Sequence, residues 1–430
     1  GIADYSCFED DPAILMYGCM CVLAAMSVWL VTASYLEMPV STTHSCVGGM
    51  IGMTMVSRGV NCVTWNKSTS RFPFIKGVSS IIASWLISPF IASIFTSCFF
   101  YIIRTTVLRK ENAYQRSLWV FPFLLGTTIC INTFFIVYKG AKFLKLDNTP
   151  IGIAFAWAFG IGGGVALLSL LFMPQLKRVT EHAISKNNNH NVLEDPEKLE
   201  EIIINYDDMK LHERIYTYIK NAINMDPKEI VKKDETIMDI HENAEKFDEN
   251  AEISMRYLQI ITACCGAFAH GANDVANSIA PFGAIWSIYK SGELSDKKND
   301  LGSDAYWILS LGAAGIVIGL ATFGYKIMNV LGTKLTKITP SRGACIELGS
   351  ACVIIMGSRL GWPLSTTHCQ VGATVGVGLL EGKKGINYKI LRKTLFGWIF
   401  TLIFVGGLTA LLFAQGAYAP MVHYPSYIKN

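Results

Sequence analysis

The sequence predicts an all-helical polytopic membrane protein, and three observations predict it. Across 430 residues, 51% of side chains are hydrophobic, only 16% are charged and the mean hydropathy is +0.36. A soluble protein of this size carries about 25% charged residues, so most of this surface does not face water. The apolar residues also gather in charge-free runs long enough to cross a hydrocarbon layer of about 30 Å. Finally, a fifteen-residue segment recurs once near each end. Residues 38–52 read MPVSTTHSCVGGMIG and residues 362–376 read WPLSTTHCQVGATVG, with eight identical positions, no gap and a constant offset of 324. A gapless match of that kind marks a duplicated unit.

In chain order, the first expected span is 13–36, which runs straight into the first Pro-x-Ser-Thr-Thr-His turn and an apolar stretch over 46–56. A polar segment follows at 57–76, and its Asn66-Lys67-Ser68 is a glycosylation acceptor pattern if that loop lies outside. Further spans are expected at 77–103, 118–138 and 151–173, the last of them closed by Pro174. Between them lie a basic loop (Arg104, Arg109, Lys110, Arg116) and a shorter one with Lys139, Lys142, Lys145 and Asp147. Apolar character returns at 258–286, 306–330, 344–360 and 394–414, with a basic loop at 381–393 before the final span. With Asn66 outside, the loops at 104–116 and 381–393 fall inside, as the positive-inside tendency requires.

Charge is segregated along the chain. Of its 70 charged residues, 31 fall between Lys177 and Arg256, 19 of them acidic, so one soluble insert interrupts the membrane-bound regions. The expected organisation is a first membrane half at 1–174, a cytoplasmic acidic loop at 175–251, a second half at 252–415 and an extracytoplasmic tail at 416–430. The insert has an Asn-rich tract at 186–191 and an amphipathic stretch at 199–223, and reads as a partly helical linker whose His212 and His241 are solvated. Most of the twelve cysteines, such as Cys19, Cys130, Cys264 and Cys352, sit in apolar runs and read as small buried hydrophobes rather than disulfide partners. No His/Cys cluster has metal-ligand spacing, and no nucleophile sits with a base, so an enzyme is not expected. Glycine-rich 160–164 and 312–319 read as helix-packing faces.

Within the repeated turn, Pro39 favours a helix break, and the Ser and Thr residues after it are natural caps for the helix that resumes. Free backbone N–H groups at the positive end of a half-helix, with three hydroxyls beside them, make an anion site. Two such turns can face one tetrahedral oxyanion from opposite sides, or each can merely bond back to its own helix. Asn273, Asp274 and Asn277 fall within one helical turn or break, and an acid at membrane depth is a functional candidate. Their side-chain oxygens, joined by unwound carbonyls, suit a small cation such as Na+, while the carboxylate alone suits a proton. Glu347 is a second intramembrane acid, and His44 and His368 follow the two hydroxyl triplets as coupling candidates or as packed structural side chains. The loops after the two turns have opposite sidedness. Inverted repeats with broken or re-entrant helices are a signature of secondary transporters.

At residues 271–277 (Gly-Ala-Asn-Asp-Val-Ala-Asn), 39–44 and 363–368, the chain resembles the inorganic phosphate transporter family, the PiT-type sodium-phosphate symporters. The resemblance spans nearly the whole chain outside the acidic insert. It implies a multi-pass symporter, most simply of the plasma membrane, moving inorganic phosphate with Na+ or H+, without a cofactor or a nucleic-acid partner and with a homodimer left open. Residue by residue it implies phosphate at Ser41, Thr42, Thr43, Ser365, Thr366 and Thr367, and the cation at Asn273, Asp274 and Asn277. Glu347 stands where the family tends to carry an acid linked to transport. The family has an Asn-Asp segment in each half, and here its first copy would fall about 53 residues before Gly1, so the expectation is that the true start lies upstream. The rival readings are a sulfate permease of the same fold and a non-transporting phosphate sensor.

Overall fold

The computed structural model describes residues 2–70, 74–138, 149–193, 231, 234–294, 302–360 and 362–419. Asp11 accepts from the Ile14 N–H (3.4 Å) and Pro12 opens the first helix, α1 (Pro12–Tyr35), with its preset φ. A kinked extended segment separates α1 from α2 (Thr42–Arg58). A two-residue hairpin, β1 (Lys67–Ser68) and β2 (Ile75–Lys76), then leads into α3 (Val78–Ile103), α4 (Ala113–Val137) and α5 (Ile151–Leu193). Past the insert come α6 (Glu235–Asn243), α7 (Glu249–Ser291), α8 (Asp304–Gly319) and the short α9 (Tyr325–Asn329), the last two joined and followed by π-helical turns at Leu320–Gly324 and Val330–Lys334. The chain closes with α10 (Pro340–Leu360), α11 (Thr366–Leu380) and α12 (Tyr388–Ala417). Among the described residues six helical segments are long and apolar enough to cross a membrane: Pro12–Tyr35, Val78–Leu108, Ala113–Val137, Ile151–Ser185, Asp304–Lys334 and Tyr388–Ala417.

Two pairings form the centre. Helix α2 lies along α12, and α11 lies along α3, through glycines that allow backbone to meet backbone. A Cβ on Gly48 would stand 2.7 Å from the Leu402 carbonyl oxygen, and one on Gly376 would stand 2.5 Å from that of Ser93. Gly52 and Gly372 meet Gly406 and Pro89 in the same way. Gly372 and Gly376 lie 324 residues beyond Gly48 and Gly52, while Leu402 and Gly406 lie 313 beyond Pro89 and Ser93. The two halves therefore exchange equivalent contacts.

Three expectations need correction, and a disulfide is added to them. Pro174 does not end the fourth span, because α5 continues through it to Leu193. A proline deletes one helix hydrogen bond, and the turns beyond it are held by Thr180 Oγ1 bonded to the Leu176 carbonyl (2.7 Å) and by the Lys177–Glu181 pair (3.9 Å). Helix α7 is unbroken across 271–278, so the segment is not unwound, although Pro281, which has no N–H, leaves the Asn277 carbonyl without its ladder donor. Cys7 and Cys62 form a disulfide. Both lie in polar segments flanking the α1–α2 hairpin, outside the apolar runs from which the buried-thiol reading was drawn. His241 is half-buried rather than solvated: its Nε2 lies 3.0 Å from the Thr333 carbonyl, and burial holds its pKa below the ordinary value. The stretch 199–223 with His212, the loop at 139–147 and most of the C-terminal tail lie outside the described residues.

Residues 234–248 act as a strap across the end of the bundle opposite the disulfide. There Arg342, fully buried, bonds Glu381 Oε1 through Nη2 (2.7 Å) and the Glu245 carbonyl (2.8 Å), and its guanidinium sits between the rings of Phe100 and Phe247. Glu245 in turn pairs with Arg109 (2.7 Å) and Arg104 (2.9 Å). The Arg109 hydrogen bond is the main reason its carboxyl titrates below the usual range.

Candidate functional site

The site forms where α2 and α11 meet N-terminus to N-terminus. Proline disfavours helix in the residue before it, and α1 and α10 end ahead of Pro39 and Pro363. Ser41 (φ −101°, ψ 129°) and Ser365 (φ −101°, ψ 120°) are the N-caps, accepting from the N–H of His44 (3.4 Å) and His368 (3.3 Å). The Ser365 hydroxyl donates to the Ser41 hydroxyl at 2.8 Å, so the two turns touch. Thr43 Oγ1 reaches the Leu364 carbonyl (3.5 Å), and its counterpart Thr367 Oγ1 reaches the Val40 carbonyl (3.3 Å).

The remaining threonine of each turn points at one carboxylate. Thr42 Oγ1 donates to Asp274 Oδ1 (3.3 Å) and Thr366 Oγ1 donates to Oδ2 (2.8 Å), so Asp274 bridges both turns. Asn277 Nδ2 donates to Thr43 Oγ1 (2.8 Å), and Asn273 Nδ2 reaches the Leu364 carbonyl (3.5 Å). One face of unbroken α7 thus supplies all three residues at spacings of one and three. The positive ends of two helix dipoles converge on this point, and that favours a negative charge there.

Not every candidate joins this cluster. His44 and His368 are buried behind it: His44 lies on Trp85 (ring centroids 3.8 Å apart), His368 on Trp398 (3.5 Å), and the two histidines meet edge to face at 4.4 Å. Trp398 follows Trp85 by 313 residues, the offset already seen in the outer helices. Glu347 lies on α10, accepts from Gln370 Nε2 (3.1 Å) and packs where a Cβ on Gly266 of α7 would stand 2.6 Å from its Oε2. His270, one turn before Asp274 on α7, has its Nε2 3.3 Å from the Ser350 hydroxyl. Sequence reading passed over His270 and Gln370, although their spacing of four from Asp274 and two from His368 was available as a signal. Among the described residues no group of three His, Cys, Asp or Glu side chains is arranged to hold a metal ion.

A cavity of about 580 Å³ runs from Thr43 and Asn277 to Tyr5 and Lys76, at the end of the bundle carrying the Cys7–Cys62 disulfide. The cavity therefore links Thr43 and Asn277 with that end, while the strap is bonded across the other.

The sequence profile described as the phosphate transporter family matches residues 1–409. The chain belongs to that family. It is 29% identical to the phosphate-repressible phosphate permease pho-4 of Neurospora crassa, over 96% of this chain and 85% of that protein. It is 25% identical to sodium-dependent phosphate transporter 1-B of Danio rerio, again over 96% of this chain and 85% of the relative. Among solved structures, the one described as the sodium-dependent phosphate transporter superposes with a TM-score of 0.68 at 26% identity, covering 96% of this chain and 82% of that one. These family relatives are permeases rather than enzymes, and with the apolar helices they make this chain a multi-pass membrane protein.

Proposed function

We propose that this family member is an inorganic phosphate symporter driven by Na+, with the phosphate held between the two Ser-Thr-Thr turns. The observation that carries the reading is the Asp274 carboxylate bound by Thr42 and Thr366 at matching positions of the two turns. An oxyanion is the group that such a pair of hydroxyl-flanked helix N-termini accommodates, and Asp274 marks the place where one is already stabilised. A substrate phosphate would take over these donors. Asp274, released from them, would join the amide oxygens of Asn273 and Asn277 as hard ligands for the cation. The names of the sodium-dependent relatives support Na+ over H+.

On this reading the two halves form an inverted repeat that rocks about the turns. The disulfide end faces the oxidising exterior, which also suits the exposed Asn66 acceptor, and the strap end faces the cytoplasm. Residues 1–174 and 252–415 are then the two membrane halves and 175–251 the cytoplasmic loop. The combined substitution Ser41→Ala and Thr366→Ala is expected to abolish Na+-dependent uptake of labelled phosphate while the protein remains folded in the membrane. Unchanged uptake would remove these hydroxyls from the site. Varying Na+ and pH independently in the same assay identifies the coupling ion, and competition by excess sulfate tests the anion.

A further inference from the structure

A second cavity, of about 760 Å³, opens at the strap end, far from the paired turns. Its walls come from the end of α1, the π-helical region around α9, the first turns of α12 and the start of the strap at Asp234. Four lysines line it, Lys326, Lys334, Lys389 and Lys393, against two carboxylates, Glu37 and Asp234.

The charges do not cancel. Lys334 pairs with Glu37. Lys326 has its ammonium 4.4 Å from the centroid of the Tyr35 ring, and Lys393 gives one hydrogen bond to the Leu36 carbonyl (3.1 Å). Among the described residues neither of these two, nor Lys389, has a carboxylate within ion-pair distance. The lining carries four ammonium groups against two carboxylates, and that excess favours an anion in the space. The wall helix gives an independent sign of specialisation. It carries two π-helical turns, Leu320–Gly324 and Val330–Lys334, on either side of α9. Such turns disturb the helical ladder and are rare except where function retains them.

The surroundings indicate the class of anion. Tyr35, Met328 and Leu320 are 66%, 69% and 62% exposed, and in a membrane-spanning bundle these apolar faces meet acyl chains. The lysines sit where that apolar surface gives way to the polar end of the bundle, the depth of lipid headgroups. Neither a zwitterionic headgroup nor a single carboxylate matches an excess of basic charge in a space several times larger than one phosphate ion. We propose that this cavity holds the multiply phosphorylated headgroup of an anionic phospholipid, with Lys389 and Lys393 as its principal contacts. Asp234 and Thr236 also line the cavity, so part of its wall is the strap.

The test uses the full chain purified in detergent and reads binding alone, so it stands or falls independently of phosphate symport. Short-chain phosphatidylinositol 4,5-bisphosphate is titrated while thermal unfolding is followed, beside phosphatidylserine and free inositol 1,4,5-trisphosphate. The expected result is a saturable rise in Tm with the bisphosphate lipid, at least tenfold weaker in apparent affinity for K389Q/K393Q and retained in K389R/K393R. Both residues are exposed, so these variants are expected to fold. Equal binding by wild type and K389Q/K393Q would overturn the site. An equal response to phosphatidylserine would overturn the polyphosphate class, and equal affinity for the free trisphosphate would overturn the lipid source.

Discussion

Asp274 is the residue on which both halves converge. Its two oxygens are claimed by threonines 324 positions apart, a geometry that needs an acceptor on each side of one planar group. Asp274→Asn keeps the shape but offers one acceptor where two donors arrive, and it removes the charge. On the proposed reading the lost charge is a ligand of the cation, and a charged contact contributes about 1.5–3 kcal/mol, so a loss of roughly tenfold to a hundredfold in Na+-driven phosphate uptake into proteoliposomes is expected. Retention of full Na+ dependence would place the cation elsewhere. The acid itself was legible in the sequence because charge is rare at membrane depth. Its partners were not, since nothing in the order of residues says that position 274 faces 42 and 366 rather than the solvent of a loop. The histidines show the converse: His44 and His368 share the motif with the hydroxyls, yet one further step of helix turns them away onto Trp85 and Trp398.

At the scale of elements, the helices were legible where apolar runs are long and unbroken, and their ends were not. Pro174 sits within α5 as Pro89, Pro122 and Pro281 sit within α3, α4 and α7, because a single lost hydrogen bond does not outweigh the good turns on either side. At Pro39 and Pro363 a Ser-Thr-Thr run follows one residue later and caps a new helix, and there the break persists. The strap was legible only as an acidic insert. Its anchoring comes from tertiary pairs such as Arg342–Glu381, whose side chains are 0% and 4% exposed. Arg342→Met leaves Glu381 buried without its partner and is expected to cost about 3–5 kcal/mol in thermal unfolding of the purified chain. Combining it with Glu381→Leu is expected to recover more than half of that loss. An equally damaging double substitution would show that the arginine matters for packing against Phe100 and Phe247 rather than for charge.

Over the whole molecule, the two ends of the bundle differ among the described residues. The cavity below the disulfide end reaches Thr43, whereas Arg342, Glu381, Glu245 and Arg104 bind the strap across the opposite end. Cys46 lines that cavity, while Cys345 is buried within the core near the strap. A membrane-impermeant thiol reagent applied from the disulfide side is therefore expected to modify Cys46 and spare Cys345, and phosphate with Na+ is expected to slow the modification. Labelling of Cys345 at the same rate would contradict one-sided access. The repeat made the pairing of the turns readable in advance. The offset of 313 between the outer helices was hidden, because their sequences share apolar character but too few identities to align.

The hydrogen bond from Ser365 to Ser41 makes each turn a ligand of the other. Any entering anion competes with that contact before it gains a new one, so on the proposed reading the seam acts as a selectivity filter in its own right. A halide accepts its hydrogen bonds around one small centre and has no separate oxygens to distribute between the two turns. A tetrahedral oxyanion presents acceptors to both sides together, so recognition of shape and opening of the path become one event.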